Sequence, residues 1–223
     1  MNNNFSSLAR MVWDEPIDFA LMEEGRQIIE RLFDYVKNAD HRGHTFRDVR
    51  DRIIELLPTL EDYHIDLIPE DIPYHRTPEE RVIKEGELIT LDCAVKHKGL
   101  WADRACTVST GSLDKIRREL LLTAQGAFST VKKESRPGAS FREVITALNK
   151  EVDKGLCRVM PNCGGHGIGY ELHQGAEYIY SEVDSTLVIP DHEAFTVEPV
   201  IYIEVAGQKL YAYFEDTILP EST

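Results

Sequence analysis

The stretch LDCAVKHKGLWADRACTVSTG, residues 91–111, decides the fold because it contains two apolar strands of similar length joined by the short turn KHKG. Pairing Val95 with Leu100 places Asp92 directly opposite Asp103 on one face of the predicted hairpin. Like charges that oppose each other on adjacent strands destabilise a sheet, and a carboxylate in an apolar strand also loses hydration. The sequence therefore predicts a cation between the two aspartates.

A second hairpin near the end of the chain repeats this arrangement. FTVEPVIYIEV and QKLYAYFEDTI flank Ala206-Gly207, and a turn at these two residues places Glu198 opposite Glu215. No lysine or arginine on the acidic faces of the two hairpins offers an equal positive charge, since Arg104 falls on the opposite face. Two facing pairs of acids therefore favour metal binding over structural salt bridges.

A third element, GGHGIGYELH at residues 164–173, adds an imidazole to the four carboxylates. Glycines on both sides of His166 let the backbone pass close to a ligand. Oxygen-rich sites with one imidazole suit borderline divalent ions, and four acids exceed the charge of one ion. Two such ions activate water and polarise a carbonyl, which is the chemistry of amide hydrolysis. We predict two divalent metal ions (Mn, Co, Fe or Zn) bound by Asp92, Asp103, His166, Glu198 and Glu215.

Amphipathic spacing predicts four helices, at about residues 16–38, 46–57 and 113–134 and from residue 140 onward. Thr45 is a predicted N-cap, and SFRE at Ser140 is a predicted capping box. The polar, proline-containing segment 59–85 is predicted to be a loop or the edge of a sheet. Beyond the first hairpin, further strands are predicted near residues 166–170, 194–205 and 210–219.

Two helices followed by a hairpin occur twice along the chain. The second helix of each set opens alike, with GHTFRDV at 43–49 and GASFREV at 138–144. We predict one catalytic domain over residues 1–223, with duplicated halves at about 16–111 and 112–223. The predicted class is α+β: a curved antiparallel sheet carries two pseudo-symmetric helix pairs on its outer face and the metals on its concave side.

Composition excludes several classes of protein. A formal net charge of −14 opposes binding to phosphate backbones, so nucleic acid is not an expected partner. No run of about 18 apolar residues is present, and no secretory signal begins the sequence, so we expect a cytoplasmic protein without a membrane span. The four cysteines form no CxxC pair, which favours reduced thiols over a zinc ribbon or a redox motif.

With these motifs the sequence resembles the pita-bread metallopeptidases, the family of methionine aminopeptidases, Xaa-Pro aminopeptidases and prolidases. The resemblance covers nearly the whole chain. Its most specific pieces are LDCAVKHKGLWADRACTVSTG, GGHGIGYELH, FTVEP and FEDTI, in the family's order and with its eleven-residue step between the two aspartates. It implies the pita-bread fold, peptidase activity, and the N-terminus of a peptide or nascent chain as the substrate. Monomer and homodimer both stay open.

The resemblance also implies a role for each predicted ligand. Asp92 is similar to the family's ligand of one ion, and His166 and Glu198 are similar to ligands of the other. Asp103 and Glu215 resemble the ligands that bridge both ions. Glu198 resembles, in addition, the family's glutamate that takes part in proton transfer through the bridging water.

Two further histidines resemble residues of the family's active site. His173, seven residues after His166, is similar to the histidine that contacts the substrate amide. His75, in YHRTPEE, resembles the upstream histidine that methionine aminopeptidases carry in the motif HGIP. The remaining histidines match no family motif and are expected to be solvated: His41, His44, His64, His97 and His192.

Two subfamilies resemble different parts of the sequence. The chain length and the start at EEGRQIIERLFDYV resemble methionine aminopeptidases, which implies removal of the initiator methionine. FTVEPVIYI followed closely by FEDTI resembles the Xaa-Pro branch, and Gln174 replaces the glutamate usual in the family. We predict a methionine aminopeptidase, with a short Xaa-Pro aminopeptidase or dipeptidase as the alternative. A non-catalytic binding module is the third reading.

Overall fold

The computed structural model describes residues 17–74, 77–175, 177–180, 188–189 and 192–220. Within these residues the chain forms four helices and ten strands. The helices are α1 (Phe19–Asn38), α2 (Phe46–Glu55), α3 (Lys115–Glu134) and α4 (Phe141–Val152). The strands are β1 (Asp62–Pro69), β2 (Leu88–His97), β3 (Leu100–Ser109), β4 (Arg158–Val159), β5 (Gly164–His166), β6 (Glu177–Ile179), β7 (Phe195–Val197), β8 (Val200–Val205), β9 (Gln208–Tyr213) and β10 (Asp216–Ile218).

The helix starts follow the capping signals of the sequence. Thr45 caps α2, and its side chain and that of Asp48 each accept a hydrogen bond from the other residue's backbone N–H. Ser140 and Glu143 make the same reciprocal pair at the start of α4, as predicted. Helix α1 begins after Asp18, whose side chain accepts from the N–H of Ala20, so the predicted start at residue 16 was about three residues early.

The register predicted for the first hairpin is wrong by two residues, because Val95 pairs with Ala102 and not with Leu100. The turn is Lys98-Gly99, with φ angles of 51° and 84°, and His97 pairs with Leu100. Asp92 therefore lies opposite Ala105, and Asp103 lies opposite Ala94. Because residues two apart share a face, both aspartates still lie on the same side of the sheet, diagonally rather than directly opposed.

The register predicted for the second hairpin is correct. Ala206 and Gly207 form the turn, with φ angles of 50° and 82°, between β8 and β9. The same register continues into the pairing of β7 with β10, where Val197 lies opposite Asp216. Glu198 and Glu215 therefore occupy matching positions in the gap between the two strand pairs.

The strands form four short antiparallel sheets, in the orders β1-β2-β3, β10-β7, β4-β8-β9 and β5-β6. Isolated bridges link them: Ala105 to Glu215 joins β3 to the segment before β10, and Gly167 to Phe195 joins β7 to the segment after β5. The sequence predicted a single curved sheet, whereas the observed ladders are interrupted where the site residues lie. Part of segment 59–85 forms strand β1, at an edge, paired with β2.

Each helix pair packs on its own strands. Helices α1 and α2 cover the face of the first sheet opposite Asp92 and Asp103, in a core that includes Ile29, Phe46, Leu67, Cys93 and Val95. Helices α3 and α4 pack on the later strands, in a core that includes Ala124, Phe141, Leu148, Ile201 and Ala212. Helices and antiparallel sheets thus make the α+β class that was predicted, while the duplication of two halves stays a prediction. Among the described residues, no helix is long and apolar enough to cross a membrane.

Candidate metal centre

One cavity of about 180 Å³ brings the predicted site residues together. All five predicted metal ligands line it, and so does His173, the predicted substrate contact. His75 lies outside the described residues, so its prediction stays a prediction. The lining residues are His64, Asp92, Asp103, His166, Leu172, His173, Glu198 and Glu215.

Three of the five predicted ligands form a compact group. Asp103, His166 and Glu215 each offer one ligand atom, and these atoms lie within 4.8 Å of one another. All three side chains are buried, with residue exposures between 4% and 7%. Asp92 and Glu198 line the same cavity beyond this group. The arrangement is a tight centre of one imidazole and two carboxylates, with two further carboxylates on the wall of the same cavity.

Hydrogen bonding fixes which nitrogen of His166 faces the cavity. The Nδ1 atom lies 3.0 Å from the carbonyl oxygen of Gly167, and a carbonyl only accepts, so Nδ1 carries the proton. The unprotonated Nε2 is then the free ligand atom, 3.8 Å from Asp103 Oδ2. Burial lowers the pKa of His166 to about 4, so the ring is neutral near pH 7. A neutral imidazole with its second nitrogen bonded to a carbonyl is the usual form of a metal-bound histidine.

Glycine at position 165 allows the strand that carries His166 to lie close to β7. A Cβ atom there would come 2.0 Å from the backbone oxygen of Thr196, so a larger side chain does not fit. The hydroxyl of Thr196 accepts a hydrogen bond of 3.1 Å from the backbone N–H of His166. The glycine-rich sequence therefore serves close strand packing, which sets the imidazole among the acids.

A closed loop after β5 carries His173 back over His166. Gln174 donates its backbone N–H to Gly167 O at 2.8 Å, and its side-chain Oε1 accepts from the N–H of Tyr170 at 2.8 Å. The two histidine rings stack with centroids 4.0 Å apart and an interplanar angle of 12°. The His173 side chain is largely exposed, which leaves it accessible at the mouth of the cavity.

Burial, and after it the charge of the neighbouring acids, raises the pKa of three of the carboxylates. Burial raises the pKa of Asp103 to about 8, and the nearby charge of Asp92 adds to the rise. Burial also raises the pKa of Glu198 to about 8, with Asp92 and Asp103 contributing. The pKa of Glu215 lies well above its usual range for the same reasons, burial first and Asp103 next. The four acids need compensating positive charge to ionise together at neutral pH.

The donor atoms fit divalent metal ions. Among the described residues, Asp103 Oδ1 and Glu215 Oε1 are buried oxygens without a hydrogen-bond partner. A buried polar atom without a partner costs about 1–3 kcal/mol, and more when it is charged, so such atoms point to a missing ligand. Oxygen atoms with a single imidazole nitrogen match the preferences of Mn, Co, Fe and Zn.

His64 was predicted to be solvated, and its side chain is 48% exposed, but it also lies on the cavity wall, which was not predicted. It lies on β1 opposite Ala94, which in turn lies opposite Asp103, so the three residues cross the sheet in one row. Its Nε2 lies 3.1 Å from Asp66 Oδ2. The period-two spacing of His64 and Asp66 carried the signal, but segment 59–85 was not assigned as a strand with a defined face.

Comparisons with known proteins agree with this geometry. The model of metallopeptidase family M24 matches residues 20–221. Methionine aminopeptidase of Staphylococcus epidermidis is 26% identical over 130 residues, 57% of this chain and 52% of that protein. The mitochondrial methionine aminopeptidase 1D of Homo sapiens is 28% identical over 127 residues, 57% of this chain and 38% of that protein. The matches thus span about half or less of these relatives.

Solved structures share the fold at low sequence identity. Methionine aminopeptidase from Rickettsia prowazekii superimposes with a TM-score of 0.79 at 21% identity, over 91% of this chain and 92% of that one. Prolidase from Pyrococcus furiosus gives a TM-score of 0.75 at 20% identity, over 91% of this chain and 60% of that one. These likenesses show the pita-bread fold that the sequence predicted.

Proposed function

This chain belongs to metallopeptidase family M24, and from that premise we propose that it is an aminopeptidase that removes N-terminal methionine from peptides or nascent proteins. The observation that carries the proposal is the convergence of four carboxylates and one neutral imidazole on a single cavity, next to the exposed ring of His173. The methionine specificity is supported by the curated relatives, which are methionine aminopeptidases.

In this proposal the site holds two divalent ions. Asp92 would hold one ion, His166 and Glu198 would hold the other, and Asp103 and Glu215 would contribute carboxylate oxygens to both. The buried oxygens Asp103 Oδ1 and Glu215 Oε1, which have no hydrogen-bond partner, would be available to the ions. When bound, a pair of divalent ions lowers the pKa of water and polarises a carbonyl, which favours hydrolysis of an amide bond.

The chain's own side chains supply proton transfer and substrate contact. Glu198 lines the cavity, so its ionised carboxylate can take a proton from the attacking water and deliver it to the leaving nitrogen. His173 contacts the amide of the substrate from the mouth of the cavity, held there by the loop that Gln174 closes. Leu172 is the one apolar residue among the described residues that line the cavity.

An Xaa-Pro peptidase is the second candidate. The observation that favours it is the two-residue turn at Ala206-Gly207, which joins β8 to β9 without the insertion usual before the last glutamate of methionine aminopeptidases. The two candidates share the metal site and differ in the first residues of the peptide that they accept.

The deciding experiment compares two tripeptides with one metal-loaded enzyme. We expect protein loaded with Mn²⁺ or Co²⁺ to cleave Met-Ala-Ser, to leave Ala-Pro-Ala intact, and to lose activity in the Asp103→Ala variant. Cleavage of Ala-Pro-Ala alone would make the Xaa-Pro reading correct. Two bound ions without cleavage of either peptide would favour a non-catalytic binding module.

A further inference from the structure

The residues that follow Asp103 and Glu215 form a buried ion pair on the reverse face of the sheet. Arg104 and Asp216 each come one position after a cavity-facing acid in extended backbone, so their side chains point to the opposite side. Arg104 Nε and Asp216 Oδ1 lie 2.9 Å apart, a contact of opposite charges without hydrogen-bond geometry, and the Asp216 side chain is fully buried. Asp103 and Glu215 therefore lie on the cavity side of these two segments, and the Arg104–Asp216 pair lies on the opposite side.

Few backbone hydrogen bonds fix the distance between these segments. Ala105 and Glu215 exchange two, of 3.2 Å and 3.0 Å. The Thr217 hydroxyl accepts from the N–H of Asp103 at 2.9 Å and donates to its carbonyl at 2.8 Å. In the described part of the chain this contact is an isolated bridge rather than a ladder. Side-chain contacts therefore have to contribute to the spacing of the two acids.

Three cations from three different elements converge on Asp216. Arg26 of α1 donates through Nε at 3.0 Å and through Nη2 at 2.8 Å, a bidentate contact. Lys132 of α3 lies 2.5 Å from Oδ2, and Arg104 of β3 completes the set. Helices of both predicted halves are thereby tied to the residue next to Glu215.

Two of the cations around Asp216 have a second acidic partner. Arg104 also pairs with Glu30 at 2.6 Å, and Arg26 also pairs with Glu23. A buried ionic cluster is seldom more stabilising than well-packed apolar residues of the same volume. The hydrogen bonds of Arg26 to Asp216 and of Arg104 to Glu30 are directional, and together with the Arg104–Asp216 contact they restrict where each strand can lie.

We propose that the Arg104–Asp216 pair positions the preceding residues, Asp103 and Glu215, so that both carboxylates can bind the two metal ions. The inference rests on the proposed metal site and adds positioning residues to it. Neither member of the pair lines the cavity, so both act through the backbone of the neighbouring acid. Arg104 also stacks on Phe33 of α1, with the guanidinium carbon 5.1 Å from the ring centroid, which restrains the pair from the helix side.

The test is calorimetric titration of chelator-stripped protein with Mn²⁺. Arg104→Met keeps the aliphatic stem over Phe33 and leaves Asp216 with Arg26 and Lys132, so the fold is expected to persist. We expect wild type to bind two ions and the variant to bind the second at least about tenfold more weakly, as is usual when a group that orients a ligand is lost. The absorption spectrum of the Co²⁺ form should change with it, and Arg104→Lys should recover part of the affinity.

Glu30→Gln is the matched control, because it breaks the other ion pair of Arg104 without touching Asp216. It should bind both ions like wild type at a similar melting temperature. Equal affinities in wild type and Arg104→Met, or an equal loss in Glu30→Gln, would overturn the inference and leave the proposed function intact. If wild type bound no Mn²⁺, the proposed function would fail and this inference with it. If Arg104→Met did not fold, Arg104→Lys would be tested instead, and a Mn²⁺ affinity equal to that of wild type would contradict the positioning role of the pair.

Discussion

The hydroxyl of Tyr213 donates a hydrogen bond of 2.9 Å to Asp92 Oδ2. Tyr213 is the last residue of β9 and lies two residues before Glu215. This short segment therefore supplies one proposed metal ligand, Glu215, and the hydroxyl that orients a second one, Asp92. Burial raises the pKa of Tyr213 well above its usual range, and the charge of Asp92 raises it further, so the hydroxyl stays protonated. Asp92 is thereby held in one orientation before any metal binds.

We predict that Tyr213→Phe weakens Mn²⁺ binding by roughly 10- to 100-fold, the usual cost of losing a group that orients a metal ligand. The ring remains, so packing around it is retained. Calorimetric titration measures the effect. Tyr211→Phe is the control: it is the same change two residues earlier, where the ring packs against Tyr202 with centroids 6.1 Å apart. Equal affinity in the two variants would contradict the prediction.

Gln174 should matter for substrate contact rather than for metal binding. Gln174→Met removes the oxygen that accepts from the N–H groups of Tyr170 and Glu171, so the loop that carries His173 loosens. At about 1 kcal/mol for each lost hydrogen bond, kcat/KM should fall roughly 10- to 30-fold. Gln174→Glu keeps an acceptor oxygen and should retain most activity. A fall in Mn²⁺ affinity that matched the fall in kcat/KM would disprove this division of roles.

The metal-free protein should lose stability as the pH rises from 6.5 to 8. Asp103 and Glu198 have folded pKa values of about 8, above their usual values of 3.8 and 4.5, so the native state keeps protons that the unfolded chain releases. His166, with a pKa of about 4, has the opposite effect, but only below its usual 6.5.

Thermal unfolding with a chelator present tests this prediction. Each retained proton lowers the free energy of unfolding by about 1.4 kcal/mol per pH unit, or on the order of 3–6 °C in melting temperature. Saturating Mn²⁺ should abolish the decline, because the ions replace the protons. A melting temperature of the metal-free protein that stays constant or rises between pH 6.5 and 8 would show that Asp103 and Glu198 do not retain protons in the folded state.

The side-chain pattern predicted which residues meet but not every register. A register shift of two residues leaves every side chain on the same face of the sheet. Asp92 and Asp103 therefore still share a face, and the predicted site was correct although the predicted turn was not. The error arose because a lysine and a glycine, both with positive φ, form a two-residue turn where a four-residue connection was assumed. Ala206-Gly207 was assigned correctly as a two-residue turn, and there the register held.

The edge strand was the part that the sequence left undefined. DYHIDLIP has no glycine or proline boundary that sets its start, and its pairing with β2 is a tertiary contact that local propensity does not specify. His64 and the row that it forms with Ala94 and Asp103 depend on that pairing. This is why the sequence did not predict that an exposed histidine lines the cavity.

The last prediction concerns His64 itself, which lines the cavity without belonging to the proposed ligand set. Its hydrogen bond with Asp66 raises its pKa above the usual value, so more of the ring is protonated near neutral pH and can donate to a substrate oxygen. We predict that His64→Ala raises KM roughly 2- to 10-fold, the worth of one hydrogen bond, while Mn²⁺ affinity stays unchanged. His97→Ala is the control, since His97 pairs with Glu24 at 2.8 Å, and neither residue lines the cavity. Steady-state kinetics on the same peptide decides the matter, because an unchanged KM in His64→Ala would leave this histidine without a part in substrate binding.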